Sequence, residues 1–150
     1  MRDTKQGLID LCMEIVKEKL QTIEDELATL QKSANEETKS SAGDKYETGR
    51  AMIMLEKEKF MTQKDQLFSQ LKALKTIDVS REMNTVESGA IVTTTESDYF
   101  IATGIGQVKL EKENYLVISA MAPIAQAMLG KTVGQKVSFN KMEFTITAIH

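Results

Sequence analysis

The sequence predicts an α+β protein: an N-terminal antiparallel coiled-coil hairpin of α-helices, then a C-terminal antiparallel sheet with one short helix. Two observations predict this arrangement. Residues 1–75 hold 27 charged residues and no proline and follow a helical period. Residues 76–150 hold 14 charged residues, the only proline and several runs of Thr, Val and Ile. Such a change of composition marks a boundary between structural parts.

A seven-residue repeat of apolar side chains predicts the two helices. In the first helix the apolar residues are Ile9, Met13, Val16, Leu20, Ile23, Leu27, Leu30 and Ala34. In the second helix they are Tyr46, Ile53, Phe60, Leu67 and Leu74. The polar stretch NEETKSSAG, residues 35–43, predicts a turn, so the helices should pack antiparallel. With the turn centred near residue 40, we expect Leu20 opposite Phe60 and Ala34 opposite Tyr46.

The second half alternates short β-rich runs with turn residues. The runs are 90–95, 99–104, 106–110, 115–120, 135–139 and 143–149. One helix is predicted over 122–131, because Pro123 suits a first helical position and Gly130 suits a C-terminal cap. A turn is expected at Asn140-Lys141.

The composition excludes several kinds of chemistry. A net charge of −3 argues against binding duplex DNA by bulk charge. The single cysteine, Cys12, excludes an internal disulfide and a cysteine-rich zinc site. The only histidine, His150, makes a Ser-His-Asp triad improbable. No apolar run approaches the length of a membrane span, and no signal peptide is recognisable, so the expected location is the cytoplasm.

Two carboxylates near the predicted turn, Asp44 and Glu47, have two interpretations. Asp at an N-cap with Glu three residues later is similar to a capping box, and Ser41 with Asp44 offers the same spacing. Side chains three apart on a helix also share one face. Mg²⁺ keeps much of its water and is often held by only one or two protein carboxylates. The local sequence leaves both interpretations open.

Two segments resemble the bacterial Gre transcript-cleavage factors. AGDKYE, residues 42–47, is similar to the Gly-Asp-x-x-Glu tip of that family's coiled coil. APIAQAMLGKTVGQKVSF, residues 122–139, is similar to a segment of its FKBP-like C-terminal domain. The order of the parts also resembles the family. Four residues differ from those usual in the family, namely Tyr46 for Lys, Thr48 for Asn, Ala122 for Ser and Gln135 for Asp.

The resemblance implies an FKBP-like C-terminal domain and an accessory factor that is not itself an enzyme. Asp44 and Glu47 would help RNA polymerase hold a second Mg²⁺ in its active site, entering by the secondary channel, and so support cleavage of backtracked RNA. The metal would be shared with the polymerase, with no cofactor bound stably. Partners would be RNA polymerase and the nascent RNA 3′ end, with no membrane. The candidate contact residues are Tyr46, Arg50, Pro123 and Ile124.

The expected organisation is a hairpin over 1–75 with its tip near 36–47, a linker over 76–86, and the FKBP-like domain over 87–150. Within the resemblance, the alternatives are an inhibitor of RNA polymerase and a protein like the regulators of nucleoside diphosphate kinase. From a different class, the chain is a coiled-coil interaction module with no role at the polymerase.

Overall fold

The structure is a computed structural model that describes residues 2–38 and 43–150, with the backbone alone at 37, 38 and 43–47. The predicted α+β class is confirmed: two long helices precede six strands and one short helix. No helix in the described ranges combines the length and the apolar composition that crossing a bilayer requires.

The two long helices are α1 (Arg2–Thr38) and α2 (Gly43–Lys75). The turn prediction is therefore wrong at residues 35–38, which continue α1. Side-chain bonding one helical turn apart supports this continuation, since Gln31 Nε2 donates to Asn35 Oδ1 over 3.1 Å. The four residues that separate the helices, 39–42, lie outside the described residues.

One face of each long helix is less exposed than the rest, and it carries the predicted seven-residue repeat. The buried members are Ile9, Val16, Leu20 and Ile23 of α1 with Leu74 of α2, and Leu71 is buried beside them. The half-buried members are Met13, Leu27, Leu30 and Ala34 of α1 with Ile53, Phe60 and Leu67 of α2. We call these residues the seam. The burial of the seam decreases along the hairpin toward residues 39–42, where each helix is covered only by the other.

The register between the helices differs from the prediction. Lys57 Nζ donates to Gln31 Oε1 over 2.8 Å, and Lys64 Nζ lies 3.8 Å from Glu24 Oε1. The predicted register puts Lys57 opposite Ile23, which is about 12 Å along the helix axis from Gln31 at 1.5 Å per residue. The two side chains do not span that offset in addition to the distance between helices.

A shift of seven residues explains these contacts and keeps apolar residues facing one another. Leu27, and not Leu20, then lies opposite Phe60, and Ile53 lies opposite Ala34. Registers that differ by one heptad present the same alternation of seam residues, so the repeat alone does not choose between them. The expected pairing of Leu20 with Phe60 is wrong for this reason.

The six strands form one sheet in the order β3-β4-β2-β1-β6-β5. The elements are β1 (Ile91–Thr94), β2 (Asp98–Ala102), β3 (Gly106–Leu110), β4 (Glu113–Ser119), α3 (Pro123–Met128), β5 (Lys136–Phe139) and β6 (Met142–Ile149). The expectation of a wholly antiparallel sheet is wrong at one pair, because β2 and β4 run parallel. β3 lies at the edge and pairs antiparallel with β4, which places β4 beside β2 in the same direction.

The core of the sheet lies between the strands and α3. Met128 of α3 is fully buried with Phe144 and Ile146 of β6, and the rings of Tyr99 and Phe144 stack with centroids 6.1 Å apart. Val86 also belongs to this core. Burying apolar side chains of this size stabilises a fold by about 1.5–3 kcal/mol each.

The chain forms two compact units, and the boundaries of these units differ from the predicted domain limits. One unit comprises Met1–Met13 and Lys72–His150, and the other comprises Glu14–Leu71. In the first of these units, Gly7 of α1 lies close to Leu110. A β-carbon added at residue 7 would lie 3.2 Å from Leu110 Cδ2. The first turns of α1 therefore pack with the sheet.

The end of the expected linker, 76–86, also packs in the sheet unit. Met83 and Val86 are buried in the core. The Val86 N–H donates to the Lys131 carbonyl, and the Val86 carbonyl accepts from the Gly130 N–H, each over 2.9 Å. Backbone bonds and apolar contacts thus fix this segment.

Two predicted turns are confirmed by their backbone angles. Asn140 and Lys141 have φ values of 47° and 66° between β5 and β6, as a tight hairpin turn requires. Gly130 has φ of 81° just after α3, the left-handed conformation that commonly ends a helix.

We predict that Gly130→Ala destabilises the protein by about 1–2 kcal/mol, because an L-residue is strained at positive φ. A β-carbon at Gly130 meets no atom within 4 Å, so crowding does not contribute. Gly104→Ala is the matched control: its site is equally open and its φ lies outside the left-handed range. Urea unfolding of both variants measures the difference. Equal stabilities would contradict the prediction.

We also predict that Gln31→Cys with Lys57→Cys is joined by a short bifunctional maleimide, in a Cys12→Ala background. The observed register brings these two side chains within 2.8 Å of each other. Glu24→Cys with Lys57→Cys is the control, since the expected register would favour that pair. Gel mobility and peptide mass measure the product. Preferential linkage of the control pair would contradict the observed register and support the expected one.

Candidate functional site

The first turn of α2 carries the two predicted carboxylates. The backbone at Asp44 and Glu47 is helical, and positions three apart on a helix share one face. The capping interpretation of Asp44 with Glu47 therefore stays a prediction. The positive end of the helix dipole favours both carboxylates here. The side chains of Asp44 and Glu47 lie outside the described residues, as does Ser41.

The observed register places the first turns of α2 beyond the end of α1. Lys57 meets Gln31, so Thr38, seven residues after Gln31, is level with Arg50, seven residues before Lys57. Residues 43–48 therefore lie beyond the level of Thr38, the last described residue of α1. We call residues 43–48 the end segment, and it contains both carboxylates.

The register also changes the interpretation of Tyr46. Tyr46 was expected opposite Ala34, but Ile53 takes that position once the register shifts by seven residues. The expectation is therefore wrong, and Tyr46 belongs to the end segment. Its side chain lies outside the described residues. Arg50, which follows the end segment, is exposed.

The start of α3 carries the other two predicted contact residues, and their surroundings differ. Pro123 is exposed at the first position of α3. Ile124 is half-buried and packs against the core of the sheet, so part of its side chain serves the fold. The neighbouring Met121 is 79% exposed. Pro123 and Met121 are thus the more accessible apolar residues at this end of α3.

The outer face of α2 carries exposed apolar residues. Met54, Met61 and Phe68 recur every seven residues and are each about half exposed. They stand one position after the seam residues Ile53, Phe60 and Leu67, so a second apolar repeat runs beside the first. The sequence signal for this exposed surface is the second repeat, because a helix with one buried face needs only one apolar repeat.

The described side chains offer no preformed metal centre. Among them, no group of three His, Cys, Asp or Glu residues lies close enough to hold an ion. Two carboxylates of an end segment form at most a partial ligand set, since Mg²⁺ requires six oxygen ligands. The arrangement suits a metal whose other ligands come from a partner or from water.

A long helical hairpin followed by a small mixed sheet with one helix is the architecture of a class of transcription elongation factors. The family model described as "Transcription elongation factor, GreA/GreB, C-term" matches residues 75–150, half of the chain. The chain belongs to the GreA/GreB family, as the resemblance at residues 42–47 and 122–139 predicted.

Solved structures with a related arrangement include two of the transcription factor Gfh1. One is 21% identical to this chain over 92% of each chain, with a TM-score of 0.38. The other is GreA factor homolog 1 of Thermus thermophilus, 20% identical over 92% of this chain and 94% of that chain, with a TM-score of 0.35. No curated protein sequence matches the chain. Both TM-scores are below 0.5, so the assignment rests on the family model.

We predict that the Cys12 thiol is unreactive in the native protein. Burial raises the pKa of Cys12 to about 11, so only about one thiol in a thousand is ionised at pH 8, and the thiolate is the reactive form. Absorbance of a chromogenic disulfide reagent measures the reaction. Native protein should react far more slowly than protein in concentrated guanidinium chloride, which restores the ordinary pKa. Equal rates would contradict the burial of this side chain.

Proposed function

We propose that this protein binds RNA polymerase through the secondary channel and supports cleavage of the 3′ end of backtracked RNA. Membership of the GreA/GreB family supports the partner. The observation that carries the proposal is the placement of Asp44 and Glu47, three residues apart at the described start of α2, next to the connection between the two long helices. This protein acts as an accessory factor, and the polymerase supplies the active site.

The end segment suits entry into a confined channel. A single helix is about 10–12 Å across with its side chains, and a helix pair is roughly twice as wide in one direction. The end of a two-helix hairpin therefore presents a cross-section of about one helix diameter by two to a channel. The positive end of the α2 dipole lies at the end segment, so the dipole does not disfavour negative charge there.

Asp44 and Glu47 are the residues that would hold the ion. When bound, a second Mg²⁺ in a polymerase site activates water and stabilises the leaving oxygen during phosphodiester hydrolysis. The role of this chain is to orient two carboxylate groups toward ligands that the polymerase provides. Isolated protein should have no nuclease activity, because two carboxylates alone hold Mg²⁺ weakly.

Other residues have supporting roles in this proposal. Tyr46, on the end segment, would stack on a base of the displaced RNA, since aromatic side chains stack on bases regardless of sequence. Arg50 would contact an RNA phosphate or a polymerase carboxylate. Pro123, the exposed part of Ile124 and Met121 would dock the sheet unit at the rim of the channel, as exposed apolar patches often do.

Inhibition of RNA polymerase is the second candidate function. The observation that favours it is the pair of departures at the end segment, where Tyr46 and Thr48 replace the residues usual in the family. A bulky ring beside the carboxylates would block the active site instead of completing it. Binding through the same channel is common to both functions.

We predict that Asp44→Asn and Glu47→Gln each reduce cleavage in backtracked complexes by at least about tenfold, because removing one carboxylate weakens a shared Mg²⁺. Glu56→Gln is the matched control, since Glu56 is an exposed carboxylate further along α2. Gel analysis of end-labelled RNA gives the rate. Raising the Mg²⁺ concentration should partly restore the two variants.

A binding measurement separates the two functions. The Asp44 and Glu47 variants should compete with wild-type protein for the polymerase, because docking uses other residues. If wild-type protein slows both cleavage and elongation, inhibition is the function. If cleavage proceeds equally with wild-type protein and both variants, the proposed role of the carboxylates is wrong.

A further inference from the structure

Residues 51–55 of α2, Ala-Met-Ile-Met-Leu, are five consecutive apolar residues. Met52 is 64% exposed, Met54 is 56% exposed and Leu55 is 66% exposed. Ile53, the seam residue of the group, is half-buried. A run of exposed apolar residues is unusual on a helix and indicates a surface that a partner covers. We call residues 51–55 the apolar band.

The exposed side chains of the apolar band point in several directions. At about 100° per residue, those of Met52, Met54 and Leu55 spread over about 160° of the helix circumference. Ile53 points the opposite way, toward α1. A helix that is apolar all round is normally buried, and one flat contact covers a stripe of roughly 100°. A partner that covers the whole apolar band must therefore be concave.

Charged residues limit the apolar band along the helix axis. Arg50 precedes it, and residues 56–59, Glu-Lys-Glu-Lys, follow it. The band is therefore about 7.5 Å long at 1.5 Å per residue. Moving α2 along its axis by several Å would bring a charged side chain against the surface that covers the band, and burying a charge is costly. The band thus favours one axial position of α2 in its partner.

A second copy of this chain does not suit the apolar band. Three side chains of this size remove roughly 200–350 Å² of apolar surface from water, whereas a stable interface buries about 800 Å² on each partner. Pairing two bands with α2 helices parallel would also bring Asp44 and Glu47 of both copies to one level, where like charges repel. The band suits a partner that also holds the chain elsewhere.

We propose that the apolar band packs against a concave apolar wall of the RNA polymerase channel and sets the depth to which the end segment enters. Asp44 lies eight residues before Met52 in the same helix, so the two are about 12 Å apart along its axis. Met52, Met54 and Leu55 are positioning residues for the carboxylates. This inference rests on the function proposed above and adds a contact surface to it.

Competition binding to core polymerase, together with cleavage rates over a range of protein concentrations, tests the inference. Met52→Gln and Leu55→Gln should each raise the half-saturating concentration by about tenfold, because a buried apolar contact is lost. The cleavage rate at saturation should fall as well, since the carboxylates are then less well placed. Met52→Leu keeps the apolar contact and should behave as wild-type protein. Met142→Gln is the matched control, since Met142 is 44% exposed on β6 and the side-chain change is the same.

The outcomes separate this inference from the proposed function. If the Met52 and Leu55 variants bind polymerase as tightly as the Met142 control, the inference is wrong and the proposed function stands. If wild-type protein does not bind polymerase, both are wrong. Sedimentation of the isolated protein tests the second copy as the occupant. A dimer that Met52→Gln dissociates would assign the apolar band to self-association and overturn the inference.

Discussion

The seam between α1 and α2 is the interaction on which the hairpin unit depends. A pair of helices has one interface, so apolar residues every three and four positions must meet there or stay in water. The contact of Lys57 with Gln31 and that of Lys64 with Glu24 fix which heptads meet. This choice sets Thr38, the last described residue of α1, level with Arg50 and leaves the end segment with Asp44 and Glu47 beyond that level.

Much of the sheet unit could be predicted from local chemistry. Strand runs, the helix start at Pro123, the left-handed Gly130 and the turn at Asn140-Lys141 each follow from residue types whose backbone preferences are strong. The parallel pairing of β2 and β4 could not be predicted, because either direction satisfies the same alternation of side chains.

The sequence by itself determined the α+β class, the seam repeat and the family resemblance, because periodicity and short motifs are local properties. It also identified Asp44 and Glu47 as the notable acidic pair. Only the tertiary structure decided the register of the hairpin and the exposure of Met54 and Met61. The physical reason is that a heptad repeat is degenerate under a shift of seven residues, so contacts between distant side chains must choose among arrangements that local preference leaves equal.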